Sequence, residues 1–265
     1  MIRPAIVIVP GAWHRPQHYR RLVEGLTKFN YEAVGVTMPS VDSRPPLSSW
    51  TQDAEAIRKV ILSYLDAGRD VTTVAHSFGG VPMSEAVKGL GKSARASQGL
   101  KSGVLRLMYM AAMALPEGQN HVGQIKPQTP EEEELERQRQ EYLAKHGGMR
   151  FTEDGAMILD KEAVREVFYS RCDPADVEEA LDLLGSYPVG PLSVPVTYTA
   201  YREIPSTYIV CENDRALPLS VQERMIAQSE GLLQVERCQE GHSPFLSNPQ
   251  FIVDCVRRAA GEDDV

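Results

Sequence analysis

Val71-Thr-Thr-Val-Ala-His-Ser-Phe-Gly-Gly80 is the stretch that decides the fold. Its β-branched residues predict a buried strand, and its two glycines begin a helix just after one serine, Ser77. A serine hydroxyl is a poor nucleophile unless a tight turn holds it where a base can reach it. That turn requires small residues two positions before and after the serine, and here these are Ala75 and Gly79. The stretch therefore predicts a nucleophile on a strand–turn–helix unit, or, taken alone, a serine that caps a helix.

A serine nucleophile needs a histidine base and an acid that orients the base, and candidates for both follow later in the chain. On a strand–turn–helix unit the expected order is serine, acid, histidine. The strand-like run Ser206–Cys211 leads into a loop that contains Asp214, and the shorter run Leu233–Cys238 leads into a loop that contains His242. We predict that Ser77, Asp214 and His242 form a catalytic triad, each just past the C-terminal end of its strand.

Two backbone N–H groups are predicted to form an oxyanion hole. The first strand, Ala5–Val9, is followed by a glycine-containing loop, Pro10-Gly-Ala-Trp-His14, which can turn one N–H towards the nucleophile. We assign this donor to Ala12 and the second donor to Phe78, the residue after the nucleophile. The candidates for the walls of the substrate pocket are Trp13, His14 and Phe245.

Two of these assignments have a competing interpretation. Glu117 follows the predicted strand Val104–Ala112 and could supply the acid in place of Asp214. His14 could cover a helix N-terminus instead of lining the mouth of the pocket. Both alternatives stay open on the sequence alone.

Strands alternate with helical stretches along most of the chain, which is typical of a parallel sheet covered on both faces. We predict a single α/β domain over residues 1–265 with a mostly parallel sheet of about six strands. The predicted strands are Ala5–Val9, Tyr31–Thr37, Val71–Ala75, Val104–Ala112, Ser206–Cys211 and Leu233–Cys238. The predicted helices of the core lie near Gln17–Phe29, Trp50–Asp66, Gly79–Leu90 and Pro249–Ala260, and residues 91–101 are predicted to be a surface loop.

The alternation stops between residues 115 and 205. Thr129-Pro-Glu-Glu132 is a capping box that begins a charged helix, and Gly147-Gly148 ends it. Asp154-Gly155 predicts the turn of a small hairpin. Further helices are predicted near Lys161–Tyr169 and Pro174–Leu184. We interpret residues 115–205 as a helical cap insertion that lies above the triad and shapes the pockets for the acyl and leaving groups.

Charge and composition exclude several kinds of partner. The net charge of −8 and the pI near 5.4 argue against nucleic acid or an anionic membrane. The four cysteines are widely spaced and no metal-ligand spacing occurs, so we predict no metal and a reduced, cytoplasmic protein. The N-terminal residues enter a strand too short for a signal peptide or a membrane span. The expected partner is a small-molecule substrate, and a homodimer is left open.

Four motifs resemble the α/β-hydrolase superfamily, most closely its branch of plant methyl esterases and hydroxynitrile lyases with their fungal and bacterial relatives. The resemblance implies an α/β-hydrolase fold and supports the roles given above to the triad and to the two oxyanion donors. Pro10 stands where the family usually has histidine, and Ala75 stands where glycine is usual. The motifs are Pro10-Gly-Ala-Trp-His14, Ala75-His-Ser-Phe-Gly-Gly80, Glu212-Asn-Asp-Arg-Ala-Leu-Pro218 and Gly241-His242.

These features predict a serine esterase that cleaves a carboxylic ester, thioester or lactone of a small, fairly apolar molecule through an acyl-enzyme. No cofactor is implied. A cofactor-free lyase of the hydroxynitrile type is one alternative, but such lyases typically carry a lysine shortly after the histidine, whereas Ser243-Pro-Phe245 follows His242. A ligand-binding receptor on the same fold is the other alternative. Ser77 argues against the epoxide hydrolases and dehalogenases of this fold, which use a carboxylate nucleophile.

Overall fold

The computed structural model describes residues 3–262, and the first two and last three residues of the predicted domain lie outside the described residues. The described residues form a six-stranded parallel sheet and a three-stranded antiparallel sheet. The strands are β1 (Ala5–Val9), β2 (Ala33–Gly35), β3 (Val71–His76), β4 (Val104–Met110), β5 (Met149–Phe151), β6 (Ala156–Leu159), β7 (Tyr187–Pro188), β8 (Ser206–Cys211) and β9 (Leu233–Cys238).

The helices fill the connections between these strands. In the described part of the chain they are α1 (Arg20–Lys28), α2 (Thr51–Asp66), α3 (Gly80–Ala86), α4 (Lys92–Ala96), α5 (His121–Ile125), α6 (Pro130–His146), α7 (Lys161–Tyr169), α8 (Pro174–Leu183), α9 (Gly190–Ser193), α10 (Leu219–Gln228), α11 (Pro244–Ser247) and α12 (Pro249–Ala259). Short 3₁₀ helices cover Pro16–Tyr19, Ser77–Gly79 and Ala200–Arg202. None of the helices between residues 3 and 262 is long and apolar enough to traverse a bilayer.

The larger sheet has the strand order β2-β1-β3-β4-β8-β9. Its parallel register pairs Val9 with Ala75 and His76 with Met110, so β1, β3 and β4 end at the same edge. Likewise, Cys211 at the end of β8 pairs with the last residue of β9. The loops that carry the predicted site residues therefore all leave one edge of the sheet, which is the usual site edge of a parallel sheet.

Strand side chains alternate between two hydrophobic layers. Val7 faces the layer that contains Ile57 of α2, whereas Ile8 faces the layer that contains Leu22 of α1 and Ile252 of α12. The same alternation recurs in β4 and β8, as the two-residue period of a strand requires. The prediction of about six mostly parallel strands with helices on both faces is confirmed.

Several elements outside residues 115–205 differ from the sequence prediction; helix α3, for example, ends at Ala86, whereas the predicted helix extends to Leu90. The expected surface loop 91–101 contains α4, which an ion pair between Lys92 and Asp70 and a hydrogen bond from Arg95 to the Ser102 carbonyl hold against the domain. The second strand is shorter than expected because only three residues of this edge strand pair with β1. Helix α10 was not predicted, although Val221 and Met225, buried four residues apart, give it a helical period.

Residues 115–205 contain α5 to α9 and the smaller sheet, so this insertion is not purely helical. The predicted helices agree with α6, α7 and α8 within one or two residues, and the hairpin is β5–β6. β7 was not predicted; it pairs with β6 as a third strand. Val164 and Tyr169 of α7 and Leu181 of α8 lie in the same buried layer as Ile8. Helices α7 and α8 of the insertion therefore belong to the hydrophobic core, whereas α6 has no buried residue.

One buried carboxylate in the core, Asp53, forms no ion pair with any of residues 3–262. Asp53, in the first turn of α2, is fully buried; its Oδ1 accepts a hydrogen bond from the Ser40 N–H at 2.9 Å. Its Oδ2 and the Ser40 Oγ are buried without a hydrogen-bond partner. Burial raises the pKa of Asp53 to about 6. Because the folded-state pKa lies above the unfolded value, ionisation of this group lowers stability as the pH rises from about 4 to about 6.

We expect Asp53→Asn to increase the free energy of unfolding by up to about 3 kcal/mol at pH 8, since each unit of pKa shift corresponds to about 1.4 kcal/mol. This increase in the free energy of unfolding should become smaller as the pH falls from 6 towards 4, because the wild-type carboxyl is then protonated in the folded state. Urea unfolding at pH 8 and pH 4.5 measures the difference. Asp66→Asn, at the exposed end of the same helix, is the control. A gain of equal size at both pH values would contradict the prediction.

Candidate active site

β3 places Ser77 at the edge of the sheet on a sharp turn. Ser77 follows the last residue of β3 with a φ of +52°, in the left-handed region that residues other than glycine seldom adopt. The Met113 N–H donates to the Ser77 carbonyl oxygen at 2.9 Å and helps to hold the turn. A strained backbone that its neighbours fix in this way is typical of functional turns. The serine side chain remains partly exposed.

The glycines that follow are required by close backbone approaches. A Cβ at Gly79 would lie 2.4 Å from the Pro10 carbonyl oxygen, and one at Gly80 would lie 2.3 Å from the Met113 carbonyl oxygen. Across the turn, a Cβ at Gly11 would lie 2.9 Å from the Ser77 Cβ. The loop after β1 therefore packs directly against the serine turn, where the sequence predicts a backbone N–H donor.

Asp214 and His242 form a buried pair. Asp214 Oδ2 lies 2.7 Å from His242 Nδ1, and both side chains are almost completely buried. Because a carboxylate accepts, Nδ1 carries the proton and Nε2 is left to act as a base. The other carboxylate oxygen, Oδ1, accepts from the N–H groups of Ala216 and Leu217, each at 2.8 Å. These bonds fix the orientation of the acid and, through it, of the imidazole.

His76, the residue before Ser77, contacts His242. His76 donates from Nε2 to the His242 carbonyl oxygen at 2.8 Å, and the two rings lie 4.6 Å apart. In the described residues no hydrogen bond joins Ser77 Oγ to the His242 ring, and such bonds are often long before substrate binds. Glu117 is exposed, and its backbone N–H bonds to Thr199 Oγ1. The geometry therefore favours Asp214 as the acid.

A second buried hydrogen-bond network, which the sequence did not reveal, links the loop after β1 to the serine turn. Since His76 Nε2 donates to a carbonyl, its Nδ1 is unprotonated and accepts from the Tyr19 hydroxyl at 2.8 Å. The Tyr19 oxygen in turn accepts from the Gly11 N–H at 3.1 Å. Burial, and then the neighbouring His242 and His14, lower the pKa of His76 well below its usual value. A neutral His76 thus ties the loop after β1 to the serine turn and to the base.

We expect Tyr19→Phe to lower the free energy of unfolding by about 1–3 kcal/mol, because it leaves the Gly11 N–H and His76 Nδ1 buried without partners. It should also lower kcat more than it raises KM, since the two loops lose their shared bond. Tyr201→Phe is a matched control, because the Tyr201 hydroxyl is buried and has no hydrogen-bond partner. Equal effects of the two substitutions on stability and kcat would contradict a role for the network.

The predicted pocket residues near β1 have different environments. His14 donates from Nδ1 to the Ala12 carbonyl oxygen at 2.8 Å, and its Nε2 accepts from the Tyr169 hydroxyl at 3.0 Å. His14 therefore braces the loop that is proposed to supply an oxyanion donor. Burial, chiefly, lowers its pKa well below the usual value. Trp13 is partly exposed and donates from Nε1 to the Met157 carbonyl oxygen at 3.2 Å.

Phe245 lies behind the site. Its side chain is fully buried, with its ring 4.3 Å from the Tyr19 ring and 4.9 Å from the His76 ring. It therefore supports the histidine network from the core side, and in this structure it presents no exposed surface to a pocket.

An arc of ring contacts runs from the base to the proposed oxyanion donor. Phe168 lies 5.4 Å from His242 and 6.0 Å from Trp13, between ring centroids. Tyr187 lies 5.5 Å from Trp13 and 5.7 Å from Phe78. We call Trp13, Phe78, Phe168, Tyr187 and His121, which contacts Phe78 at 5.6 Å, the aromatic arc. Three of its members belong to the insertion, and their positions depend on how that insertion folds back, so no local sequence pattern identified them.

A cavity of about 470 Å³ lies between α6, α10 and the loop that carries Asp214. Neither Ser77 nor His242 lines it. The aromatic arc, whose rings contact His242 and Phe78, is therefore the candidate site of the reaction. Among residues 3–262, no group of three or more His, Cys, Asp or Glu side chains could hold a metal ion.

Comparisons with known proteins place the chain among hydrolases. The profile described as "Alpha/beta hydrolase family" matches residues 6–255. Alpha/beta hydrolase nvfD of Aspergillus novofumigatus (strain IBT 16806) is 47% identical over 263 residues, which are 99% of this chain and 98% of that protein. Putative methylesterase 11, chloroplastic, of Arabidopsis thaliana is 26% identical over 194 residues, 72% of this chain and 46% of that protein.

A solved structure shares the fold. The crystal structure of a pyrethroid hydrolase from Sphingobium faniae JZ-2 has a TM-score of 0.71 and 20% identity, and the match covers 98% of each chain. The predicted fold, the resemblance to the methylesterase branch and the prediction of a hydrolase are confirmed by these matches. The chain belongs to the alpha/beta hydrolase family.

Proposed function

We propose that the protein is a serine hydrolase that cleaves a carboxylic ester, thioester or lactone of a small, fairly apolar molecule. The observation that carries this proposal is the buried Asp214–His242 pair, which leaves Nε2 available beside a strained turn that presents Ser77. The putative methylesterases among the similar proteins are ester-cleaving by name, which supports an ester as the scissile group.

In this mechanism His242 Nε2 accepts the proton of Ser77 Oγ as the oxygen attacks the substrate carbonyl. Asp214 keeps the proton on Nδ1 and stabilises the imidazolium that forms. The N–H groups of Ala12 and Phe78 bind the oxyanion. The imidazolium then gives its proton to the leaving group, and a water molecule deprotonated by His242 releases the acid from the acyl-enzyme.

In this mechanism the insertion covers the site and excludes water from it. Phe168 and Tyr187 supply two apolar ring faces of the aromatic arc, and both come from residues 115–205. Excluding water above Ser77 strengthens the interaction of N–H donors with the oxyanion. This explains why the insertion is packed into the core: its rings must be held at fixed positions.

A panel of p-nitrophenyl esters of increasing acyl length, with methyl esters of the same acids, tests the proposal. The protein should hydrolyse members of this panel with saturation kinetics, and the acyl chain length should change kcat/KM because the ring-lined site selects by shape. Lack of turnover of every ester, with release of cyanide from a cyanohydrin instead, would show that the lyase alternative is correct.

A further inference from the structure

His121 occupies a fixed position at the roof of the site. It is the first residue of α5, and the preceding Asn120 holds this helix in two ways. The Asn120 Oδ1 accepts from the Gly123 N–H at 2.8 Å, and its Nδ2 donates to the Ser193 carbonyl oxygen at 3.0 Å. The ring position of His121 is therefore set by the insertion.

The imidazole of His121 has an unsatisfied polar atom. Its Nδ1 is buried and has no hydrogen-bond partner, and leaving such an atom unpaired costs about 1–3 kcal/mol. Burial, and to a lesser extent the positive charge of Arg139, lowers the pKa of His121 to about 4. The ring is therefore neutral near pH 7 and offers one donor and one acceptor nitrogen. The described residues give this nitrogen no structural role that would explain the cost.

The His121 ring contacts a residue of the proposed reaction centre. The His121 ring meets the Phe78 ring edge to face, with centroids 5.6 Å apart and an angle of 81°. The N–H of Phe78 is one of the two proposed oxyanion donors, so the His121 ring packs against a side chain of the proposed reaction centre. Trp13, at the other side of the arc, already uses its N–H to bond the Met157 carbonyl. The imidazole is thus a neutral group of the arc with a nitrogen that no described residue bonds.

We propose that His121 is a specificity-determining residue that hydrogen-bonds a second oxygen function of the substrate. The preferred substrates are then esters that carry a hydroxyl or keto oxygen close to the scissile carbonyl. This inference rests on the proposed function, since it names the substrate class of the same site. A buried site built to hydrogen-bond such an oxygen rejects the analogue that lacks it, because the protein group is left unpaired.

Matched esters test the proposal. The probes are methyl 3-oxohexanoate, methyl 3-hydroxyhexanoate and methyl hexanoate, which share chain length and leaving group. We expect the wild-type kcat/KM to be about 10- to 100-fold higher for at least one oxygen-bearing ester than for the plain ester, which corresponds to one hydrogen bond to a buried group. His121→Phe keeps a ring against Phe78 but removes both nitrogens, so the ratio should fall to about 1.

A second variant separates hydrogen bonding from packing. His121→Asn places an amide close to the position of Nδ1, and it should retain most of the preference even though it loses the ring contact. Labelling of Ser77 by a fluorophosphonate in both variants checks that each still has a reactive site, and the ratio between esters, not the absolute rate, is the readout. An unchanged ratio in His121→Phe, a wild-type ratio near 1, or loss of the preference in His121→Asn as well would overturn the proposal.

The same experiment distinguishes this inference from the proposed function. If the wild-type protein reacts with the fluorophosphonate and hydrolyses the plain ester equally well, only the role of His121 is wrong. The wild-type protein could also react with the fluorophosphonate but hydrolyse none of the three esters. In that case the preference is measured by how well 2,4-pentanedione and 2-pentanone each protect Ser77 from the fluorophosphonate. Equal protection by the two ketones overturns the inference. If Ser77 does not react at all, the proposed function fails and the inference fails with it.

Discussion

Ser77→Ala is expected to lower kcat for ester hydrolysis by about 10⁴- to 10⁶-fold, which is the usual consequence of removing the nucleophile of a triad. Alanine keeps a Cβ at the same left-handed backbone position and the same Met113 bond to the carbonyl, so the turn should be preserved. Circular dichroism and the unfolding midpoint should match the wild type. The measurement is the initial rate on the best ester of the panel, with enzyme concentrations high enough to detect the residual activity.

Ser84→Ala is the matched control. Ser84 lies on α3, just behind the turn, and its hydroxyl bonds the Gly80 carbonyl and the Tyr109 hydroxyl in the core. Losing that hydroxyl should cost some stability but leave turnover nearly unchanged. If Ser77→Ala keeps more than about a tenth of the wild-type rate, the nucleophile lies elsewhere.

Asp214→Asn should lower kcat by about 10⁴-fold. The amide can donate to Nδ1 and thereby favour the imidazole tautomer whose Nε2 is protonated, which cannot accept the serine proton. The Asn oxygen can still accept from the Ala216 and Leu217 N–H groups that hold the loop. The fold should therefore survive, and the loss should appear in kcat on every ester.

Glu117→Gln, compared with Asp214→Asn, decides which of the two acids considered in the sequence analysis orients the histidine. Glu117 is exposed, and its contact with Thr199 is made by its backbone N–H, so this substitution should leave kcat within about twofold, as is usual for surface changes. The reverse pattern, with Glu117→Gln inactive and Asp214→Asn active, would show that the acid follows β4.

Much of the fold was predictable because its signals are local. The runs Ser206–Cys211 and Leu233–Cys238 were predicted with the bounds of β8 and β9, since strand ends here coincide with turn-forming residues. In the insertion, Thr129 accepts a hydrogen bond from the Glu132 N–H at the start of α6, and Asp173 caps α8 before Pro174. Helix caps of this kind depend on three or four consecutive residues, so they can be predicted from the local sequence.

The parts of the site that the sequence did not reveal depend on contacts between residues that are far apart in the sequence. Tyr19 and His76 are 57 positions apart, and their hydrogen bond exists only because the first helical segment crosses the end of β3. Phe168, Tyr187 and His121 reach the site only because the insertion packs into the core. Phe245 follows the base in sequence but turns into that core, so nearness to His242 along the chain misplaced it as a pocket wall.

The most direct test of the central claim is to identify the residue that a fluorophosphonate labels. Trypsin releases Asp70–Lys88, which contains both Ser77 and Ser84, so fragmentation of this peptide by tandem mass spectrometry locates the adduct. One phosphonate per chain on Ser77, absent in Ser77→Ala and strongly slowed in Asp214→Asn, is the result predicted here. An adduct on another residue, or no adduct in a protein that hydrolyses esters, would contradict a serine mechanism at Ser77.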